Sequence, residues 1–99
     1  MNNYDVKQRL LFIYSSMKKQ VELKSFYGGN TLSFDEEMSQ IYEYIHDACE
    51  YSTAYESIVA NLEEVPFVVP SKVAICLLEV GLLMGYKTDR EEDRCYDRR

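Results

Sequence analysis

The sequence predicts an all-α, single-domain bundle of four helices, and three observations carry that expectation. Apolar residues recur at spacings of three and four through most of the chain. Capping signals precede two of the recurring segments, and no stretch alternates like a strand. The run from Pro70 to Gly85 contains only two charged residues, Lys72 and Glu79, and is about sixteen residues long, too short to cross a bilayer.

Asn2 or Asn3 can cap a first helix expected over 3–24. Its stripe is Val6, Leu10, Ile13, Met17 and Val21, and Lys18, Lys19 and Lys24 complement the dipole at its end. Tyr27-Gly28-Gly29-Asn30 reads as the turn that follows. Ser33 and Glu36 fit a capping box that opens a second helix over 34–50, with Asp35, Glu36 and Glu37 in its first turn. Phe34, Met38, Ile41, Ile45 and Ala48 form its expected core face. Thr53 and Glu56 fit a second capping box, which opens a third helix over 54–64 with the stripe Tyr55, Ile58, Val59 and Leu62. Pro66 biases Val65 out of helix, and Phe67 and Val69 are expected to plug the core from the connector.

The fourth helix, over 71–84, is apolar on two opposite sides. Val73, Leu77, Val80 and Met84 form one stripe; Ile75, Leu78 and Leu82 form the other. A helix of that kind is expected to be covered from both sides and so to sit at the centre of the bundle. Ala74 and Gly81 on a third side would admit a close neighbour, and Gly85 is the expected stop. The domain is therefore expected over 1–86, with a charged, flexible tail over 87–99.

Composition narrows the function classes. The chain has 99 residues and is 46% hydrophobic, which is enough for one core in a single domain. The three cysteines, Cys49, Cys76 and Cys95, follow no disulfide or metal spacing, and the N-terminus has no signal-peptide pattern, so a cytoplasmic protein is expected. His46 and Cys49 could contribute two metal ligands, but no second pair completes a closed site. One histidine, no phosphate loop and no nucleophile elbow argue against an enzyme. Glu43 and Asp47 on an exposed face lack anything to tune them as an acid–base pair. No cofactor is expected.

Charge is the most informative feature. The net charge of −6 is distributed unevenly: residues 1–24 sum to +3 and residues 72–99 to zero, while residues 25–71 hold nine carboxylates and no Lys or Arg. Such a centre repels phosphates, so direct nucleic-acid binding is not expected. In helical phase, Glu36, Glu43, Asp47 and Glu50 line up along helix two, flanked by Tyr44 and Tyr51. Like charges at these spacings cost about 0.2–0.5 kcal/mol per pair, and a face tuned only for stability would include lysines. The pattern points to a cationic partner that supplies the missing charge.

The order Glu50 to Tyr86, EYSTAYESIVANLEEVPFVVPSKVAICLLEVGLLMGY, resembles small helical immunity proteins of bacterial polymorphic-toxin and contact-dependent growth inhibition systems, including the Maf-type immunity group. The corresponding features are Glu50, Ala54, Glu56 and Ile58 on an acidic helix, then Pro70-Ser71, then Leu78 to Gly85 on a hydrophobic helix. The resemblance implies a toxin inhibitor without chemistry of its own. Its expected partner is a basic toxin domain, a nuclease, and its expected contacts are Glu43, Tyr44, Asp47, Glu50 and Tyr51, with Glu63 and Glu64 at the edge. Two other functions fit the same residues: an acidic nucleic-acid mimic acting on a host or phage nucleoprotein, and a helical subunit that forms a homodimer.

Overall fold

The structure, a computed structural model, describes residues 3–28 and 32–84. It is an all-α bundle of four helices: α1 Asn3–Lys18, α2 Phe34–Tyr42, α3 Tyr51–Glu64 and α4 Ser71–Leu83. A 3₁₀ helix, Val21–Phe26, follows α1, and a π-helical turn, Glu43–Asp47, continues α2. No strand occurs among the described residues. Gly29, Asn30, Gly85 and the tail over 87–99 lie outside them.

The stripe of α1 forms as its spacing predicts: Val6, Leu10, Ile13 and Met17 are buried. The helix ends six residues earlier than expected, however, and Val21 is exposed while Leu23 in the 3₁₀ helix takes the next core position. Gln20 explains the break. Its Nε2 donates to the Ser16 carbonyl (3.1 Å) and to the Val68 carbonyl (2.9 Å), and its Oε1 accepts from the Val68 N–H (2.9 Å). One amide thus satisfies a carbonyl near the end of α1 and fastens the connector before α4. The orphan groups of a helix end need such partners.

The capping box of α2 is present in both directions. Glu36 N–H donates to Ser33 Oγ (3.2 Å) and Ser33 N–H donates to Glu36 Oε1 (2.9 Å). Phe34, Met38, Ile41 and Ile45 are buried as expected, whereas Ala48 is exposed. The cause is the π turn, in which Ala48 N–H bonds back to the Glu43 carbonyl, five residues away (2.9 Å). A turn with one extra residue shifts the following positions by about 100° relative to α phase. Cys49 then takes the left-handed conformation (φ 54°), the place a glycine ordinarily holds after a helix. Glu50 N–H closes on the Tyr44 carbonyl (2.7 Å).

That reversal starts α3 at Tyr51, so Thr53 and Glu56 lie inside the helix and the expected second capping box is not used. The buried face is correspondingly Ala54, Ile58 and Asn61, with Tyr55 and Leu62 at its margins. In the connector, Val65 and Phe67 enter the core and Val69 stays at the surface.

The central helix is α1, which packs against α2, the π turn, α3 and α4; α4 packs chiefly on α1. Val73 and Val80 are buried, with Leu77 and Met84 partly so, but Ile75, Leu78 and Leu82 are 55%, 69% and 51% exposed. The expectation of a central fourth helix covered on both sides therefore gives way to an edge helix with one covered side. Size is the reason. With α2 and α3 packed on the other flanks of α1, no further helix remains among the described residues to cover the outside of α4. The close approach at Gly81 is real, but its neighbour is a side chain: a Cβ there would lie 2.8 Å from the Tyr55 hydroxyl.

Candidate interaction surface

The carboxylates of residues 25–71 project mainly from α2, the π turn and the end of α3. Because the π turn interrupts the α-helical phase, they do not form one straight stripe. Asp35, Glu36, Ser39, Gln40 and Glu43 line a shallow depression of about 400 Å³ together with Leu32. Asp47 follows on the π turn, where its Oδ1 lies 3.0 Å from His46 Nδ1. The His46 ring in turn stacks on Tyr42, with centroids 5.1 Å apart. Tyr42 also meets Tyr14 of α1 (5.4 Å), so the π turn is anchored to the central helix through aromatic contacts.

Glu50 and Tyr51 sit beyond the Cys49 reversal. With Cys49, Ser52 and Thr53 they border an open recess of about 770 Å³ that reaches Val6 and Met84. Tyr44 and Tyr51 are half-buried against the core, which limits how far either reaches into solvent. Burial, and then a hydrogen bond with Cys49, push the Tyr51 phenol above its ordinary pKa. Glu63 is exposed on the last turn of α3.

Glu64 faces a third recess, of about 340 Å³, with Glu37, Gln40, Tyr27 and Asn61 in its wall. Asn61 is the buried polar residue of the molecule's described part, 8% exposed. It is fully engaged: Tyr27 O–H donates to its Oδ1 (2.5 Å), and its Nδ2 donates to Glu37 Oε1 (3.2 Å) and the Ser57 carbonyl (2.8 Å). A buried amide left without such partners would cost several kcal/mol, about 2–7. Desolvation raises the Tyr27 pKa to about 12, and the nearby charges of Glu37 and Glu64 add to the shift. The phenol is therefore held neutral, as its role of donor to Asn61 requires. Sequence periodicity placed neither Tyr27 nor Asn61 at a site. The available signal was Asn61 itself, a polar residue at the third position of the spacing Ala54, Ile58, Asn61.

Few of these carboxylates meet a cation among the described residues. Lys24 reaches Asp35 at 3.4 Å. Glu43, Glu50, Glu63 and Glu64 have no cationic partner among the described residues. Two of them, Glu63 and Glu64, end α3, whose last turn has no basic residue, and each is unfavourable there by about 0.3–1 kcal/mol. His46 and Cys49 do not form part of any group arranged to hold a metal among the described residues. No helix there is long and apolar enough to cross a membrane. The chain matches no known family model, no curated protein and no solved structure.

Proposed function

We propose that this protein is an immunity protein that binds and neutralises a cationic toxin domain, a nuclease, in the cytoplasm, through the acidic surface of α2, the π turn and the adjoining ends of α3. The observation that carries the reading is the run of nine carboxylates without Lys or Arg over residues 25–71, of which Glu43, Glu50, Glu63 and Glu64 stand without cationic partners among the described residues. A nuclease holds phosphates with basic side chains, and an anionic surface seated on them excludes substrate while recovering the electrostatic energy the free protein forgoes. The proposed contact is centred on Glu43, Tyr44, Asp47, Glu50 and Tyr51, with Glu63 and Glu64 reinforcing its edge. The protein acts by occupying its partner and performs no reaction itself. The likeness of Glu50 to Tyr86 to helical immunity proteins supports the same reading.

The test is a double charge reversal, Glu43→Lys with Asp47→Lys. Both side chains are exposed, so helicity and melting temperature should stay close to those of the parent. Protection of cells against the cognate toxin should fall, and affinity for it should drop by about tenfold or more. Full protection by a folded double variant would remove this surface from the contact. Affinity capture from source cells distinguishes the competing use of the same charge. The basic C-terminal domain of a large secreted protein is the expected catch, whereas a resident nucleic-acid-binding complex would make the protein a mimic of nucleic acid.

A further inference from the structure

We propose that the outward face of α4 is a self-association surface, on which a second copy of this chain packs as an antiparallel α4–α4 pair. Ile75, Leu78 and Leu82 are spaced three and four apart and lie opposite the buried stripe of Val73, Leu77, Val80 and Met84. Their exposures of 55%, 69% and 51% make an apolar ridge about 10 Å long.

Among the described residues, no other element covers this ridge. Residues 85–99, which continue from α4, contain only Tyr86, Cys95 and Tyr96 as apolar or aromatic side chains. Cys95 and Tyr96 follow Tyr86 by nine and ten positions, and the three give no stripe at helical spacing. A second α4, by contrast, is complementary in shape and charge. In an antiparallel pair centred on Leu78, Ile75 meets Leu82 of the other copy and Leu78 meets Leu78, so every apolar position finds an apolar one. Lys72 lies in the first turn of α4, where it opposes the helix dipole, and the last turn has no basic residue. The antiparallel arrangement brings Lys72 of each copy to the C-terminal turn of the other and corrects both ends at once. A parallel pair would instead place the two Lys72 side by side. Glu79, near the centre of the pair, is already neutralised by Arg9 of its own chain at 3.0 Å, so the two-fold arrangement creates no unpaired like charges.

Sedimentation of the full chain over micromolar to sub-millimolar concentrations tests the proposal, with a monomer–dimer equilibrium as the expected result. Leu78→Lys, at an exposed position, should leave the circular dichroism spectrum unchanged and raise the dimer dissociation constant about tenfold or more. Lys72→Glu separates this surface from a general change in stability. It should raise the melting temperature of the dilute monomer, by complementing the α4 dipole, and yet weaken the dimer. Orientation is read with the native cysteines replaced by serine: Ile75→Cys and Leu82→Cys chains, mixed, should cross-link to each other in preference to themselves. A chain that stays monomeric throughout, or a dimer untouched by Leu78→Lys, would overturn the proposal. Self cross-linking at position 75 in preference to the mixed pair would overturn the antiparallel arrangement.

Discussion

The α1–α4 pair and the α2–α3 pair bury similar interiors and leave opposite exteriors. Inside, both contribute aliphatic side chains at helical spacing: Leu10, Ile13, Val73 and Val80 on one side, Met38, Ile41, Ala54 and Ile58 on the other. Outside, α4 presents Ile75, Leu78 and Leu82, while α2, the π turn and the end of α3 present carboxylates. The interiors account for folding. Neither exterior does, since exposed leucines gain nothing from burial they do not have, and adjacent carboxylates repel. The difference teaches that the apolar content of a helix does not fix its place in a bundle. What places α1 at the centre is that several of its sides have partners.

The largest expected effect sets the two faces of the α1–α4 pair against each other. Leu10→Ala removes a side chain with no solvent exposure and should cost about 2–5 kcal/mol. Leu78→Ala removes the same atoms from a side chain that is 69% exposed and should stay within about 0.5 kcal/mol of the parent in dilute solution. Denaturant unfolding at low protein concentration measures both. Comparable losses would mean that the outer face of α4 is buried in the monomer, and the contrast between interior and exterior would fail.

A smaller effect tests how α3 reaches across to α4. Gly81→Ala would put a methyl group 2.8 Å from the Tyr55 hydroxyl, with the ring carbon that bears it next at 3.4 Å. The expected loss is about 1–3 kcal/mol. Because the first contact is a single oxygen, Tyr55→Phe should remove much of the penalty, and a double-mutant cycle should show the two positions strongly coupled. Additive effects would place the cost of Gly81→Ala in the backbone of α4 rather than at Tyr55.

The fold was legible wherever local chemistry alone decides it. The Ser33–Glu36 box opened α2 as written, and the stripes of α1 and α2 went to the core because three- and four-residue spacing fixes one face. Legibility failed where a distant partner decides. Gln20 ends α1 by bonding Val68, forty-eight positions away, and no pattern within α1 announces that. Thr53 and Glu56 formed a plausible box that the Cys49 reversal left inside α3. Of the acidic surface, the charge was visible in the sequence and the geometry was not. The π turn separates Glu43 from Glu50, and Tyr27, Glu37, Asn61 and Glu64 meet only through packing of segments up to thirty-seven positions apart.

The smallest expected effect concerns the reversal that separates α2 from α3, and it has the opposite sign. Cys49 holds φ at 54°, a conformation that costs a side-chain-bearing residue about 1–2 kcal/mol. Glycine adopts it freely but gains entropy in the unfolded chain, which offsets about 0.4–1 kcal/mol of the relief. Cys49→Gly should therefore stabilise the protein by up to about 1 kcal/mol. Cys49→Ala isolates the cause: it removes the thiol and its bond to Tyr51 while keeping the strained backbone, and should give no gain. Equal stability of the two variants would mean that the left-handed turn is relaxed by its surroundings. The same comparison bears on the acidic surface, because this turn sets Asp47 and Glu50 relative to each other. A rigid reversal presents them in one arrangement, and glycine adds freedom that binding must then remove. The glycine variant is thus expected to melt higher and to bind a cationic partner less tightly, a pairing of signs that loss of fold alone does not produce.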